Sequence, residues 1–369
     1  MGCSRIVKIL LDKGADTLVT GDEGVTALHM SAGKGHLDAT KMLVGAGAPI
    51  DALTSTGLTP LHASARRGHW EVMTALVKAG ANPDCRLPAD GETALCAAAF
   101  EGHLAAVRVL LRGKADAMLS RADDQGTSFV PLDIAARNGH TGVVNELVQQ
   151  RSIEACGGPS GGVQALRLAA QMEYLDIVQI LSIAGVVDTG VVLMVAAGKG
   201  YLAIVKLLLQ RQQKKGRSTT RIRAYVNNAC GFYGAPPLIH AIGFAGCCSP
   251  KIARLLVDAG ADTSSSIRIT NTMGFVAFND TPLTLAEAYL STKKVGGGRD
   301  ATEEQLNRLE AIRRLLLQVE AVHAVSWLWP NNAPRSAAAS PTPMALMLPI
   351  LRRRASRHHL VVMPAVFRW

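Results

Sequence analysis

The chain has 369 residues, of which 48% are hydrophobic and 18% are charged, and its formal net charge is +10 at pH 7. This composition supplies material for a buried core and excludes a chain that is disordered throughout. Aromatic residues make up only 4% of the chain. We therefore expect thin layers of closely approaching helices, filled by Ala, Val, Leu and Ile, rather than one thick globular centre.

Cysteine usage and hydropathy predict the kind of compartment. The seven cysteines form no CxxC pair, no secretory leader precedes them, and no run of 18 apolar residues occurs in the sequence. Reduced thiols are typical of intracellular proteins. We therefore expect a cytoplasmic or nuclear protein without a membrane span.

Residues 4–13 predict a single helix at the start of the chain. Ile6-Val7 and Leu10-Leu11 give this segment an apolar stripe, and Gly14 follows its end. The pattern is that of the second helix of a pair whose first helix is missing. We therefore expect residues 1–21 to be an incomplete half-unit, either because the natural chain extends upstream or because this helix is an imperfect cap.

A repeat with a fixed period begins after this segment. Thr26-Ala27-Leu28-His29 returns 33 residues later as Thr59-Pro60-Leu61-His62, and a Gly-His pair follows at the same distance in both copies. A third copy lies at 93–103 and a fourth at 130–140, where Asp133 takes the position of the motif histidine. A period of this length predicts stacked supersecondary units.

The chemistry of one unit predicts a pair of helices. Thr59 offers a hydroxyl N-cap, and Pro60 suits the first helical position, where its missing N–H costs no hydrogen bond. The small-residue helix ends at Gly68, which can adopt the left-handed conformation of the turn. A second, apolar-faced helix is expected over 70–79. Because neither helix can bury its apolar stripe alone, each unit needs its neighbours.

At these residues the chain resembles the ankyrin repeat family, whose unit carries a Thr-Pro-Leu-His motif. The motif stands here at Thr59-Pro60-Leu61-His62. The resemblance implies an all-α solenoid of antiparallel helix pairs joined by β-hairpin-like loops. It also implies a protein-binding surface on the concave face and loop tips of the array.

Weaker copies of the pattern extend the prediction toward the C-terminus. We expect about seven repeats over 22–263, with a basic insertion at 210–234, and a divergent capping repeat with its own insertion at 264–329. Residues 330–369 contain six arginines and no acidic residue, together with many Pro and Ala. This composition predicts a disordered basic tail outside the solenoid.

The basic character of the chain is concentrated in two segments. Besides the tail, residues 189–257 contain ten Lys or Arg and no acidic residue. We expect the insertion at 210–234 to be a solvated, mobile loop. An alternative is weak nucleic-acid binding through residues 206–225. Since no aromatic residues are interleaved for base stacking, we do not expect nucleic acid to be the principal partner.

Neither a catalytic site, a cofactor site nor a metal site is predicted. The glycine-rich segment 157–162 lacks the spacing of a dinucleotide fingerprint and reads as a loop. His29 and His62 are expected to hydrogen-bond backbone groups between units, and Asp133 at the equivalent position argues against a catalytic imidazole. The adjacent pairs Cys247-Cys248 and His358-His359 have no second pair at metal-ligand spacing.

The repeats therefore predict a non-catalytic scaffold or adaptor for other proteins, monomeric by itself. An alternative is a regulatory fragment of a larger enzyme or channel whose remaining domain lies upstream. Phe100 occupies a small-residue position, with Arg67 and Arg137 in neighbouring units, and is expected to anchor a partner. Its alternative is a ring folded back over the solenoid. The expected partner-binding residues lie on loop tips and near the ends of first helices: Glu23, Met30, Lys34, Thr56, Arg66, Arg67, Phe100, Glu101, Arg137 and Asn138.

Overall fold

The computed structural model describes residues 2–150, 162–186, 188, 190–214, 216, 218–228, 235–244, 249–264, 267–269, 278–294 and 303–328. The chain divides into two units, Met1–Leu316 and Leu317–Trp369. Of the second unit, only the helical residues 317–328 are described. The predicted tail at 330–369 and nearly all of the glycine-rich segment 157–162 lie outside the described residues.

The first part of the first unit is a regular alternation of short helices. These are α1 (Gly2–Asp12), α2 (Ala27–Gly33), α3 (Leu37–Gly45), α4 (Pro60–Ala65), α5 (Trp70–Lys78), α6 (Ala94–Glu101), α7 (Leu104–Arg112), α8 (Pro131–Arg137) and α9 (Thr141–Gln150). The even-numbered helices pack on one another in one layer, and the odd-numbered helices, α1 included, pack in a second layer. The predicted all-α solenoid of helix pairs is thus confirmed.

The alternation continues beyond residue 162 with less regular lengths. The helices are α10 (Val163–Gln171), α11 (Leu175–Ile183), α12 (Val191–Lys199), α13 (Leu202–Lys214), α14 (Thr219–Val226), α15 (Pro237–Ile239) with a following π-helical turn His240–Phe244, α16 (Pro250–Asp258), α17 (Pro282–Lys294) and α18 (Glu303–Leu328). First helices again pack on first helices, from α8 through α10 and α12 to α15, and second helices from α9 through α11 and α13 to α16. We number the pairs α2/α3 to α8/α9 as one to four, and the pairs α10/α11, α12/α13 and α15/α16 as five to seven.

Two of the loops form antiparallel hairpins. Strand β1 (Arg121–Ala122) pairs with β2 (Ser128–Phe129), with Arg121 opposite Phe129. Strand β3 (Ile267–Ile269) pairs with β4 (Phe278–Asp280) in the same sense. The β1–β2 hairpin stands directly before α8, and this places its side chains beside the ends of the first helices.

Small side chains make the close packing of first helices possible. All six residues from Ala94 to Ala99 in α6 are buried, none exposing more than 2% of its surface. Helix α6 contacts α4, α7 and α8, so it is enclosed on several sides and has no polar stripe of its own. This enclosure explains why Ala dominates the layer.

The repeated threonines and histidines start the helices and join neighbouring pairs. The hydroxyl of Thr59 accepts a hydrogen bond from the backbone N–H of His62 at 3.2 Å and lies 2.7 Å from Nδ1 of the same residue. His62 Nε2 donates to the carbonyl of Glu92 in the next loop at 3.3 Å, and His29 makes the equivalent bond to Leu58 at 2.9 Å. Burial lowers the pKa of both imidazoles, so they act as neutral structural connectors, as expected.

In pair four Asp133 replaces the motif histidine and still caps its helix. Its Oδ2 accepts a hydrogen bond from the backbone N–H of Val130 at 3.2 Å. Burial of the carboxyl raises its pKa from 3.8 to about 6. Asp133 thus supplies the same acceptor for the start of its helix that the imidazole of His29 supplies in pair one.

The residue after each turn glycine packs against the preceding turn. A Cβ atom on Gly102, which has φ of +78°, would lie 2.5 Å from Nδ1 of His140. His140 Nε2 in turn donates to the carbonyl of Phe100 at 2.8 Å. In pair five Tyr174 takes the place of the histidine, and its ring occupies the same position against Gly139. A flat ring under a glycine is thus a repeated contact between neighbouring pairs.

Candidate partner-binding surface

We call the exposed sides of the first helices, together with the loop tips before them, the first-helix surface. Nine of the ten residues expected to bind a partner are exposed there, and Asn138 is half-buried. Met30 exposes 49% of its surface and Phe100 exposes 47%. The ring of Phe100 therefore contributes to this surface and is not folded away into the core.

Phe100 is held in place by groups from the next loop and helix. The guanidinium carbon of Arg121 lies 5.7 Å from the centroid of the Phe100 ring, a cation–π contact. The side-chain amide of Asn138 donates to the Phe100 carbonyl at 3.0 Å. These contacts fix both the ring and the backbone of Phe100. A partner that binds this residue therefore restricts few further conformations of it.

A second stack of the same kind stands beside the first. The guanidinium carbon of Arg137, at the end of α8, lies 5.6 Å from the centroid of the Phe129 ring on β2. Between the two stacks lies a cavity of about 470 Å³, which we call the Phe100 groove. Its lining includes Phe100, Arg121, Asp124, Phe129, Ile134 and Arg137.

A buried carboxylate fixes Arg121 at one wall of the groove. Arg121 Nε lies 2.8 Å from Oδ2 of Asp90, and its Nη1 lies 2.9 Å from Oε2 of Glu92. The Glu92 side chain is only 5% exposed and also receives Arg66 Nη2 at 2.8 Å. Such charge-assisted bonds are short and directional. The four charged side chains therefore form a network that orients the arginine over the ring.

The loop tips are joined to one another by backbone and carboxylate bonds. Ser55 N–H, beside Thr56, donates to the carbonyl of Glu23 at 2.7 Å. Asp51 accepts from Asn82 N–H at 3.1 Å. These contacts align successive tips, and they leave the side chains of Glu23 and Thr56 exposed.

The structure brings only part of the predicted set together. Phe100, Arg137 and Asn138 line the Phe100 groove. Arg66 is linked to the groove indirectly, because it contacts Glu92, which also contacts the lining residue Arg121. The other predicted residues are exposed outside the groove: Glu23, Met30, Lys34, Thr56, Arg67 and Glu101. The arginine that stacks on Phe100 is Arg121. The expected place of Arg67 beside Phe100 stays a prediction.

Sequence reasoning missed Arg121, Phe129 and the buried Glu92. The available signal was the longer loop between the third and fourth repeats, which contains an aromatic residue just before the helix start at Pro131. That extra length forms the β1–β2 hairpin. The hairpin carries one residue of each Phe–Arg stack. The spacing of the repeats along the sequence does not predict how the hairpin aligns with the ends of the first helices.

The basic insertion differs from the expected mobile loop where it is described. Residues 219–226 form helix α14, in which Tyr225 and Val226 are buried. The hydroxyl of Tyr225 donates to the buried carboxylate of Asp188. Arg221 and Arg223 are exposed, but the tyrosine is committed to the core. Nucleic-acid binding through residues 206–225 stays a prediction. Because Tyr225 is buried, its ring does not contribute base stacking to such binding.

Within the described residues the structure offers neither a metal-binding cluster nor a membrane-spanning helix. No group of three or more His, Cys, Asp or Glu side chains is arranged there to hold a metal ion. The helices of the same part of the chain are too short or too polar to cross a bilayer.

Stacked antiparallel helix pairs with hairpin loops define a helical repeat protein. The family of ankyrin repeats matches the chain in three overlapping copies, at residues 1–87, 46–121 and 72–156. Residues 1–156 are thus ankyrin repeats. No curated protein matches the chain. Ankyrin repeats are generally protein-interaction modules and are typically non-catalytic.

Proposed function

We propose that the protein is a non-catalytic interaction scaffold or adaptor in the cytoplasm or nucleus. It binds other proteins through the first-helix surface and the loop tips, and the Phe100 groove is the anchor of that surface. The observation that carries the proposal is the pair of Phe–Arg stacks flanking one open cavity at the junction of pairs three and four.

Preorganisation is the physical reason for choosing this groove. Aromatic and arginine side chains dominate the free energy of protein binding when they are well packed and desolvated by the partner. Ordering a mobile side chain at an interface costs about 0.5–1.5 kcal/mol. Arg121 is already fixed by two carboxylates and a ring, and the Phe100 backbone by two side chains. The groove therefore loses little conformational entropy when a partner covers it.

Affinity purification with the full chain tests the surface. Partners captured by the tagged wild-type chain are quantified by mass spectrometry and compared with those captured by Phe100→Ala and by Phe100→Ala combined with Arg67→Ala. We expect a loss of at least tenfold for specific partners, which is the scale of an interface hot spot. Purified partners are then titrated to give dissociation constants.

Trp70→Ala is the matched control. Trp70 is an aromatic residue exposed to 45%, close to the 47% of Phe100, but it lies at the start of the second helix α5. The control should retain every partner. Retention of all specific partners by the Phe100 variants, with thermal melting unchanged, contradicts the proposed surface.

A further inference from the structure

We propose that the Phe100 groove recognises a protein segment in which an Asp or Glu stands next to a large apolar residue, with Arg137 receiving the carboxylate. This inference rests on the proposed function and specifies the partner's chemistry at the same site. It follows from the different states of the two groove arginines and from the charges around them.

Arg137 is an oriented guanidinium with open hydrogen-bonding edges. It is the last residue of α8, it is exposed, and its guanidinium carbon lies 5.6 Å from the centroid of the Phe129 ring. A cation–π contact does not use the N–H donors of the guanidinium as hydrogen bonds. No carboxylate pairs with Arg137 among the described residues. A planar fork of N–H donors in this state matches a carboxylate in bidentate geometry.

Arg121 provides the comparison within the same groove. It stacks on Phe100 in the same manner, at 5.7 Å, but its Nε and Nη1 already contact Asp90 and Glu92 at 2.8 and 2.9 Å. The two carboxylates balance the charge of Arg121, and its Nε and Nη1 groups already have partners. Of the two arginines that line the groove, Arg137 is therefore the one that can accept a further anion.

The other charges of the groove select a single negative charge. Asp123 and Asp124 stand on the hairpin tip that forms part of the lining. Asp123 Oδ1 holds the turn by accepting from Gln125 N–H at 3.0 Å and Thr127 N–H at 2.8 Å, whereas Asp124 is exposed. Two carboxylates beside one unpaired arginine repel a dianionic phosphate more strongly than a carboxylate. An acidic side chain is therefore favoured over a phosphorylated one.

The apolar part of the lining selects the neighbouring residue. Phe100, Phe129 and Ile134 face a cavity of about 470 Å³ that is open to the first-helix surface. Covering their exposed area by an aromatic or long aliphatic side chain contributes about 25 cal/mol for each Å² removed from water. Because Arg137 stacks on Phe129, the carboxylate and the apolar side chain must be close together in the partner.

A phage-displayed library of random twelve-residue peptides, selected on the immobilised full chain, is the probe. We expect the selected peptides to be enriched in Asp or Glu next to Trp, Phe or Leu. Selected sequences are synthesised with a fluorescein label and titrated by fluorescence anisotropy against wild type, Arg137→Gln, Arg137→Lys and Phe100→Ala. Arg112→Gln, an exposed arginine at the end of the second helix α7, is the matched charge control.

We expect Arg137→Gln to weaken binding about tenfold to thirtyfold, the range for a lost interfacial charge pair. Replacing the peptide's Glu by Gln should cause the same loss, and combining the two changes should add little. Arg137→Lys should lose several-fold because the planar fork is gone. Arg112→Gln should bind as the wild type does.

The outcomes separate the two proposals. Peptides that need Phe100 but tolerate both Arg137→Gln and the loss of the peptide carboxylate overturn this inference and leave the proposed surface standing. Peptides that tolerate Phe100→Ala contradict the surface itself. Tighter binding after Glu is replaced by phosphoserine assigns the groove to a phosphate, and a library without enriched sequences overturns the inference as well.

Discussion

Helix pairs one to three and pairs five and six have the same architecture but start their first helices by different means. In the first group Thr26, Thr59 and Thr93 each accept a backbone N–H through the side-chain hydroxyl. In the second group the N-cap positions are Gly162 and Gly190, which provide no side-chain bond. Loss of the sequence motif therefore does not mean loss of the helix pair.

Pair six replaces the missing cap with a buried carboxylate from the preceding loop. Asp188 accepts from the backbone N–H groups of Gly190 at 2.9 Å and Val192 at 3.2 Å. It also receives the hydroxyl of Tyr225 from α14. One side chain thus starts a helix and fixes the inserted helix α14, a combination that no single residue performs in pairs one to three.

The turns show a similar contrast between the two regions. Gly102 and Gly139 adopt left-handed conformations, with φ of +78° and +80°. In pair five the same position is Glu173, which adopts φ of +63° despite its side chain. The turn geometry is imposed by the stacking of the pairs, and a residue that fits it poorly is still held there.

The largest effect is expected at Asp188. Asp188→Ala leaves three donors without their acceptor in a buried site, and each unsatisfied donor costs about 1–3 kcal/mol. After allowance for the removed burial of the carboxylate, we expect a loss of about 4 kcal/mol in the free energy of unfolding, against about 1 kcal/mol for Thr59→Ala. Urea denaturation followed by circular dichroism measures both.

Asp176→Ala controls for removal of an acidic side chain, since Asp176 is exposed in the first turn of α11. It should change the free energy of unfolding by less than about 1 kcal/mol. A loss at Asp188 no larger than that at Thr59 would show that the two regions depend equally on distributed caps.

A smaller, pH-dependent effect is expected in pair four. The pKa of Asp133 is raised from 3.8 to about 6 in the folded protein because its carboxyl is buried, so the folded chain binds more protons than the unfolded chain between these values. Its contribution to stability is complete below pH 3.8 and is lost as the pH rises through 6. The difference between the two pKa values corresponds to about 3 kcal/mol over the whole titration.

Asp133→Asn removes this titration and leaves all other groups unchanged. We expect the free energy of unfolding of the wild type, relative to Asp133→Asn, to fall by about 2 kcal/mol between pH 4 and pH 7 in urea denaturation. Parallel pH profiles for the two proteins would contradict the raised pKa.

The smallest effects are expected at the turns, with opposite signs in the two regions. Glu173→Gly should raise the free energy of unfolding by about 0.5 kcal/mol, because relief of the left-handed strain slightly exceeds the entropic cost of glycine. Gly102→Ala should lower it by about 2 kcal/mol, because its Cβ would also lie 2.5 Å from the His140 ring. Thermal melts of the two variants test the comparison, and changes of the same sign would contradict it.

The candidate groove shows how far sequence reasoning reaches. Phe100 and Arg137 could be identified from the sequence. A large aromatic residue occurs there in a small-residue position, and the repeat register places an arginine at the matching position of the next unit. Arg121 and Phe129 could not be identified from the sequence. Their roles depend on the β1–β2 hairpin, whose register pairs Arg121 with Phe129 and brings each beside a different first helix.

The sequence by itself determined the helix pairs, their order and the buried small-residue layer. Those features follow from local chemistry, since a Thr cap, a proline at the helix start, a turn glycine and apolar periodicity all act within a few residues. Only the tertiary structure decided which side chains meet across the pairs. The bond from Tyr225 to Asp188 spans 37 residues of sequence, and the contact of Arg121 with Phe100 crosses from one repeat to the next. Such contacts depend on side-chain rotamers and on how neighbouring helix pairs stack. Neither of these produces a periodic pattern in the sequence.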